Sequence, residues 1–225
     1  MMTIREYKQA ESLEEAWQLN QKKANRVLGG MIWLKMENIN VGTAIDLSGL
    51  GLDTIEETEG SFSIGAMVTL RQLEEHAGLA AYTHGAVKEA LRHIVGVQLR
   101  NLATVGGSIY SRFGFSDVLT LFMAMDCSVE LYKGGIISLQ EYAERPYDRD
   151  ILVRLIVKKE EAEFSISPCA TARLISRCLP ALPPVWKTAA IALRSVRGRS
   201  RLCCLSCRQR RLFLRRNWRR TLPMK

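Results

Sequence analysis

Arg100-Asn101-Leu102-Ala103-Thr104-Val105-Gly106-Gly107-Ser108 is the stretch on which the reading of this chain turns. Its paired glycines let the backbone approach another group closely, and Thr104 and Ser108 add hydroxyls, so the segment suits a diphosphate. It is not a P-loop, because it lacks the Gly-Lys-Ser/Thr ending, and it is not the dinucleotide turn G-x-G-x-x-G. Taken alone it reads equally well as a glycine-rich bend before a buried segment. Upstream, Val27-Leu28-Gly29-Gly30 sets a second glycine pair at the end of an apolar strand pattern, where the plain reading is a turn. Downstream, Ser116-Asp117 sets an acid at a helix start. Such an acid either binds a sugar diol or simply favours the helix dipole.

Outward from these three points the local grammar is that of a mixed fold. Ser12-Leu13-Glu14-Glu15 and Thr69-Leu70-Arg71-Gln72 are capping boxes, each opening a helix. Leu13, Ala16 and Trp17 share a face of the first. Residues 25–34 form a short strand pattern broken at Gly29-Gly30, 43–47 another, and 62–70 alternate in places. A helix is expected over about 86–95, with Val87, Ala90, Leu91 and Ile94 on one stripe, and another from Ser116 through Met125. Residues 128–132, Lys133-Gly134-Gly135 and 136–139 read as a hairpin, and 151–157 as a last strand. Strands and helices alternate without a strict βαβ rhythm, which favours α+β.

Composition bounds the rest. The 225 residues are 47% hydrophobic, enough for a sizeable core in one domain or two small subdomains. No apolar run approaches the ~20 residues that span a bilayer, and from the polar start no secretory signal is expected. The net charge of +9 is divided unevenly: residues 1–164 hold all 23 acids against 17 Lys+Arg, whereas 165–225 hold 15 Lys+Arg and no acid. Five of the six cysteines and five of the six prolines also fall after residue 164. A basic arm for nucleic acid is the weaker reading, because no aromatic stacking platform accompanies it and the body is acidic. Cys203-Cys204-x-x-Cys207 lacks the second pair or histidine that a zinc site needs. His76, His84 and His93 form no ligand set, so no metal-ligating residue is assigned.

Taken together, in order and spacing, the three segments resemble the FAD-binding subunit of molybdenum hydroxylases of the xanthine dehydrogenase and carbon monoxide dehydrogenase type. The signature is a strand-Gly-Gly turn, then about 75 residues later an Arg-Asn-x-Ala-Thr-x-Gly-Gly turn, then a Ser-Asp pair. Ile45-Asp46-Leu47 and Ile64-Gly65-Ala66 also match, and the resemblance covers about residues 1–165. It implies a two-subdomain FAD-binding fold of the vanillyl-alcohol-oxidase type: subdomain one over 1–50, subdomain two over 51–165, FAD between them. The implied first FAD turn is Val27, Leu28, Gly29, Gly30, Met31, Ile32 and Trp33. The second is Thr104, Val105, Gly106, Gly107 and Ser108. Asp117 matches the family's cofactor-binding acid, and Ile94 and Leu152 its apolar FAD contacts. One departure is Met31-Ile32, where the family usually continues Thr-Asp or Thr-Glu, so a polar contribution is missing. The implied partners are a molybdopterin-binding large subunit and a small subunit with two 2Fe–2S clusters, with NAD as acceptor, in a cytoplasmic setting without nucleic acid or membrane. The flavin carries the hard chemistry, so no catalytic side chain is assigned.

The family's C-terminal domain should begin near residue 165, and residues 166–225 do not resemble it. Read two bases later, the codons of 169–178 permit the string MRNSTADFPV, close to what the family carries there. The tail is therefore expected to be out of frame and disordered, because its local choices disagree with one another. Two alternatives stand beside the subunit reading: a truncated, non-functional remnant, and a basic-tailed nucleic-acid-binding protein.

Overall fold

The computed structural model describes residues 1–113 and 116–160 in full, and the backbone of three further strands between 162 and 202. The fold is α+β. The first layer is a parallel three-stranded sheet, order β1-β3-β2, from β1 (Thr3–Gln9), β2 (Arg26–Leu28) and β3 (Asn40–Asp46). Helix α1 (Leu13–Asn20) links β1 to β2. Ser12 caps it by accepting the Glu15 N–H at 3.1 Å, and the Glu15 carboxylate accepts the N–H of Glu11, one residue earlier than an ideal capping box. Leu13, Ala16 and Trp17 turn to one cluster, as their spacing predicts. Buried Asn25 ties the end of α1 to the sheet, donating to Leu19 O and accepting the Thr43 N–H. Only 26–28 of the apolar run 25–34 is strand, because the chain leaves the sheet at Gly29.

The second layer is an antiparallel sheet, order β4-β5-β8-β6-β7. Its strands are β4 (Ile55–Glu57), β5 (Ser61–Gly65), β6 (Cys127–Leu131), β7 (Gly135–Ser138) and β8 (Leu152–Lys158). The hairpin forms where the sequence places it. Its Lys133 and Gly134 N–H groups donate to the Asp150 carboxylate, and Gly135 takes the left-handed φ of 67° that favours glycine. Seven short helices accompany this sheet: α2 (Leu70–Glu75), α3 (Ala77–Tyr82), α4 (Ala86–Leu91), α5 (Val97–Leu102), α6 (Val105–Tyr110), α7 (Asp117–Met123) and α8 (Leu139–Glu144). Thr69 and Gln72 form a complete capping box on α2. Phe62, Ile64, Leu73, Leu91, Ile109, Phe122 and Leu155 fill the main core. Burial of each such side chain contributes roughly 1.5–3 kcal/mol.

The helix expected over 86–95 ends at Leu91 instead. The carbonyls of Arg92 and Ile94 are taken by the Arg100 guanidinium at 3.2 and 3.1 Å, so the chain turns there and restarts as α5 after Gly96.

The two layers are packed together. Ala10, Ala16, Ile45 and Leu47 share a cluster with Leu52, Ile151 and Val153. Arg149 donates to the carbonyls of Asn20, Lys22 and Lys23 at the end of α1, and its own carbonyl accepts the Asn20 amide at 2.8 Å. Glu14 on α1 accepts from Tyr132 at 2.5 Å and from Lys133 at 2.9 Å across the same junction. The Tyr132 and Lys133 hydrogen bonds hold the Glu14 carboxyl down at about 2.

A third, antiparallel sheet has the order β11-β10-β9, from β9 (Ala162–Pro168), β10 (Ala189–Ser195) and β11 (Ser200–Leu202). Two of these strands fall in the stretch expected as a disordered tail. The rest of 166–225, with the cysteines and most arginines on which the frame reading rests, lies outside the described residues.

Candidate functional site

The two glycine turns, far apart in sequence, touch. β2 delivers Gly29 and Gly30 against the end of α5 and the start of α6. A Cβ on Gly30 would lie 1.8 Å from the Leu102 carbonyl oxygen, and one on Gly29 would lie 2.8 Å from the Thr104 hydroxyl. Neither glycine has a positive φ; their missing side chains are required by close approach. The 102–106 segment is in turn stitched to residues 66–70, between β5 and the start of α2. Leu70 N–H donates to Ala103 O, Val105 N–H to Val68 O, and Gly106 N–H to Ala66 O, all within 2.9 Å.

The second turn differs from the sequence reading. Residues 104–108 are not a loop but the start of α6. Thr104 is its N-cap, accepting the Gly107 N–H at 3.1 Å. Thr104 O accepts both the N–H and the hydroxyl of Ser108. Every backbone N–H from Val105 to Ser108 is therefore already bonded within the protein. Capping by Thr104 supplies the physical reason: its side chain satisfies a donor that a helix start otherwise leaves open.

The first turn is the converse. Among the described residues, no protein acceptor meets the backbone N–H groups of Gly29, Gly30, Met31 or Ile32. Met31 holds a left-handed φ of 55°, and a left-handed residue is one component of the backbone turns that bind anions through successive N–H groups. Its own carbonyl accepts from Lys35. The side chains of Leu28 and Met31 go into a small cluster with Val41 and Leu34, and Val27 packs at the junction of the layers, so these residues offer backbone alone. The absent Thr-Asp side chains thus leave the main-chain donors untouched. Trp33 is half-exposed and lies edge-on to Phe113 at 6.0 Å between ring centroids.

Asp117 is the first residue of α7, whose cap Ser116 accepts the Leu119 N–H and donates to Ser108 O at 3.1 Å. That bond sets Asp117 beside α6 and hence beside the paired turns. Among the described residues no donor reaches its carboxylate, and burial pushes it up to about 6. Ile94 lies in the 92–96 loop, half-buried against the main core. Leu152 opens β8 with its side chain buried in the core, and the next residue, Val153, accepts the Ala66 N–H beneath the second turn. The structure therefore brings the two turns and Asp117 together, while Ile94 stands at the far end of α5 and Leu152 supports from below. Leu102 and Ala66 lie within the matching segments but were not singled out as site residues, and Phe113 carried no sequence signal. They enter through backbone or ring contacts that only the folded chain creates.

A row of open N–H donors beside an unpaired carboxylate suits a ligand with an anionic diphosphate and a sugar hydroxyl. A model of the FAD binding domain in molybdopterin dehydrogenase matches residues 2–159. The chain belongs to this family. Its cofactor is FAD, and it is a flavin-binding component of an oxidoreductase. The YgfM protein of Escherichia coli (strain K12) is 29% identical over 194 residues, covering 84% of this chain and 70% of YgfM. That share exceeds what residues 1–165 make up, so the similarity runs further than the motifs alone indicate. In fold, the chain is similar to a subunit of Cu,Mo-CO dehydrogenase, with a TM-score of 0.72 and 20% identity over 87% of this chain and 71% of the other. Quinoline 2-oxidoreductase from Pseudomonas putida 86 gives 0.67 and 18%, over 87% and 75%. No helix among the described residues is long and apolar enough to cross a membrane.

Proposed function

We propose that this chain is the FAD-binding subunit of a xanthine-dehydrogenase-like molybdenum hydroxylase. In that assembly a large subunit carries molybdopterin and oxidises a heterocycle, a small subunit carries two 2Fe–2S clusters, and NAD accepts the electrons. The observation that carries the reading is the run of four open N–H groups from Gly29 to Ile32, packed against the Leu102–Thr104 turn. When bound, FAD supplies the exchange between one-electron clusters and a two-electron acceptor. The chain's own residues bind and orient. Gly29 to Ile32 donate to the diphosphate, and the Thr104 hydroxyl stands beside them. Asp117 in its ionised form accepts from a sugar hydroxyl. The layers that meet through Arg149 and the Ile45–Val153 cluster hold the turns at a fixed separation.

Asp117 gives the test. Its carboxyl, pushed up to about 6 by burial, becomes a much stronger acceptor for the sugar hydroxyl once ionised. FAD affinity, followed by quenching of flavin fluorescence, is expected to rise as pH increases through about 6 and to level off above 7. In the Asp117→Asn variant the rise disappears. For folding without ligand the sign reverses. Between the ordinary value of 3.8 and about 6 the folded chain binds more protons than the unfolded one, so this group's contribution to stability falls as pH increases. FAD affinity that is flat from pH 5 to 8 in the parent chain contradicts the role given to Asp117.

A further inference from the structure

We infer that the turn after α1 is a docking surface for an acidic segment of a partner protein, an inference that rests on the multisubunit reading above. Lys22, Lys23 and Arg26 lie on or beside this turn, and Arg149 reaches it from the second layer. Among the described residues no carboxylate forms an ion pair with any of the four. Elsewhere partners are plentiful: Lys8, Arg71, Arg92, Lys133, Arg145 and Lys159 each meet a glutamate. Residues 1–164 hold 23 acids against 17 Lys+Arg, so the cations of this turn are not unpaired for want of acids. The acids beside Arg149 in sequence are engaged elsewhere. Asp150 accepts the Lys133 and Gly134 N–H groups, and Asp148 accepts the Asp150 N–H and faces Arg112 at 4.0 Å. Residues 165–225 hold no acid, so that part of the chain cannot supply the missing charge.

The positive groups are held together. Arg26 Nη1 donates to the carbonyls of Lys23 and Asn25 at 2.5 and 2.8 Å. Arg149 donates to those of Asn20, Lys22 and Lys23. The Lys23 carbonyl therefore accepts from both guanidinium groups, which sets two like charges side by side. Such charges repel, and the partial negative charge at a helix C-terminus, roughly half a unit, offsets only a fraction of four cations. Donors also remain. Nε and Nη2 of Arg26 and Nε of Arg149 bond to nothing in the protein and are open to solvent. An Nε/Nη2 edge is the fork that holds a carboxylate through two parallel bonds. Arg26 is pinned by its other nitrogen, so little freedom is lost on binding.

Position narrows the kind of partner. Arg26 opens β2, and the open N–H groups of the first turn follow the far end of that strand, roughly 10 Å away. A partner can therefore dock here without displacing FAD. Lys22 and Lys23 are both exposed. Four cations with several open donors match an acidic stretch of chain, which presents several carboxylates, better than one small anion. In an assembly of subunits those carboxylates belong to another protein.

The test uses the full chain with FAD added, and acetylated octaglutamate as the probe. A carbodiimide joins lysine amines to carboxylates held beside them, and the linked lysines are identified by mass spectrometry. Arginine forms no such link, so peptide bound by the arginines of 208–220 does not register. Lys35 and Lys88, exposed and without ion pairs among the described residues, are the reference lysines. At low salt Lys22 and Lys23 are expected to link on the order of tenfold more than either reference, and at ~0.5 M salt to approach them. Arg26→Gln removes a guanidinium but no lysine. It is expected to cut linking at Lys22 and Lys23 roughly fivefold and to leave Lys35 and Lys88 unchanged, and FAD retained by the variant shows that it folds. Equal linking at all four lysines, or no change in Arg26→Gln, overturns the inference. Linking abolished by inorganic phosphate, at an ionic strength where chloride has no effect, marks a small-anion site and overturns the choice of an acidic segment. Links from Lys22 or Lys23 to a second copy, formed without the peptide, overturn it in favour of self-association. A parent chain that retains no FAD yet links selectively at Lys22 and Lys23 supports the docking surface and overturns the FAD reading alone.

Discussion

A Gly30→Ala chain fails to retain FAD and melts well below the parent. The added methyl would lie 1.8 Å from the Leu102 oxygen and 2.5 Å from its carbon, and both are backbone atoms that cannot swing aside. Either the end of β2 or the α5–α6 junction must move. The junction is held by bonds from Leu70, Val105 and Gly106, so the first turn yields and its N–H groups lose their alignment. Overpacking of this kind costs about 3 kcal/mol. In a chain of this size that lowers the melting temperature by roughly 6–12 °C. Gly60 is the control. A Cβ there meets nothing within 4 Å, and its φ is not left-handed, so Gly60→Ala changes stability by less than about 0.5 kcal/mol and leaves flavin binding intact. Thermal unfolding and retained flavin absorbance, read on both variants, check the pair. A Gly30→Ala chain that matches Gly60→Ala shows that the two turns do not touch.

The second large effect is at the junction of the layers. Arg149 puts three hydrogen bonds onto carbonyls at and just after the end of α1, at 2.7 Å to Asn20, 2.9 Å to Lys22 and 3.3 Å to Lys23; the Lys22 carbonyl also accepts the Asn25 N–H and the Lys23 carbonyl the Arg26 guanidinium. Arg149→Met keeps the aliphatic stem and removes the donors. Hydrogen bonds to charged groups contribute about 1.5–3 kcal/mol, and the side chain is only partly buried, so a loss of about 2 kcal/mol is expected. The loss is regional. Amides of α1 and β2 should exchange faster with deuterium, while those of β5 and β8 keep their protection. FAD affinity falls with it, because β2 carries the open donors of the first turn. Uniformly faster exchange through both sheets would mean that the chain opens as one unit and that Arg149 is not a clamp between two.

What was legible in the sequence was local. Ser12, Thr69 and Ser116 announce helix starts because a short hydroxyl side chain satisfies an open N–H within three residues. The 127–138 hairpin is legible because glycines mark the turn between two β-rich runs. The motif residues were legible too, and the glycine turns and Asp117 do come together. The errors have one cause, contacts between residues distant in the chain. Nothing near Leu91 shows that Arg100 will take the carbonyls after it, so the 86–95 helix was drawn too long. Nothing near Thr104 shows that Val105 and Gly106 will donate to Val68 and Ala66, between β5 and α2, so the start of α6 reads as a turn. The division of labour between the turns follows from those bonds. The first turn keeps its donors open, and the second spends its donors on placing the first.

The most direct test of that division is a visible absorption spectrum of the purified chain after addition of FAD and gel filtration. Co-eluting flavin bands near ~370 and ~450 nm, in a one-to-one ratio with protein and lost in Gly30→Ala, are the result expected of a working FAD site. A colourless parent chain at saturating FAD contradicts it.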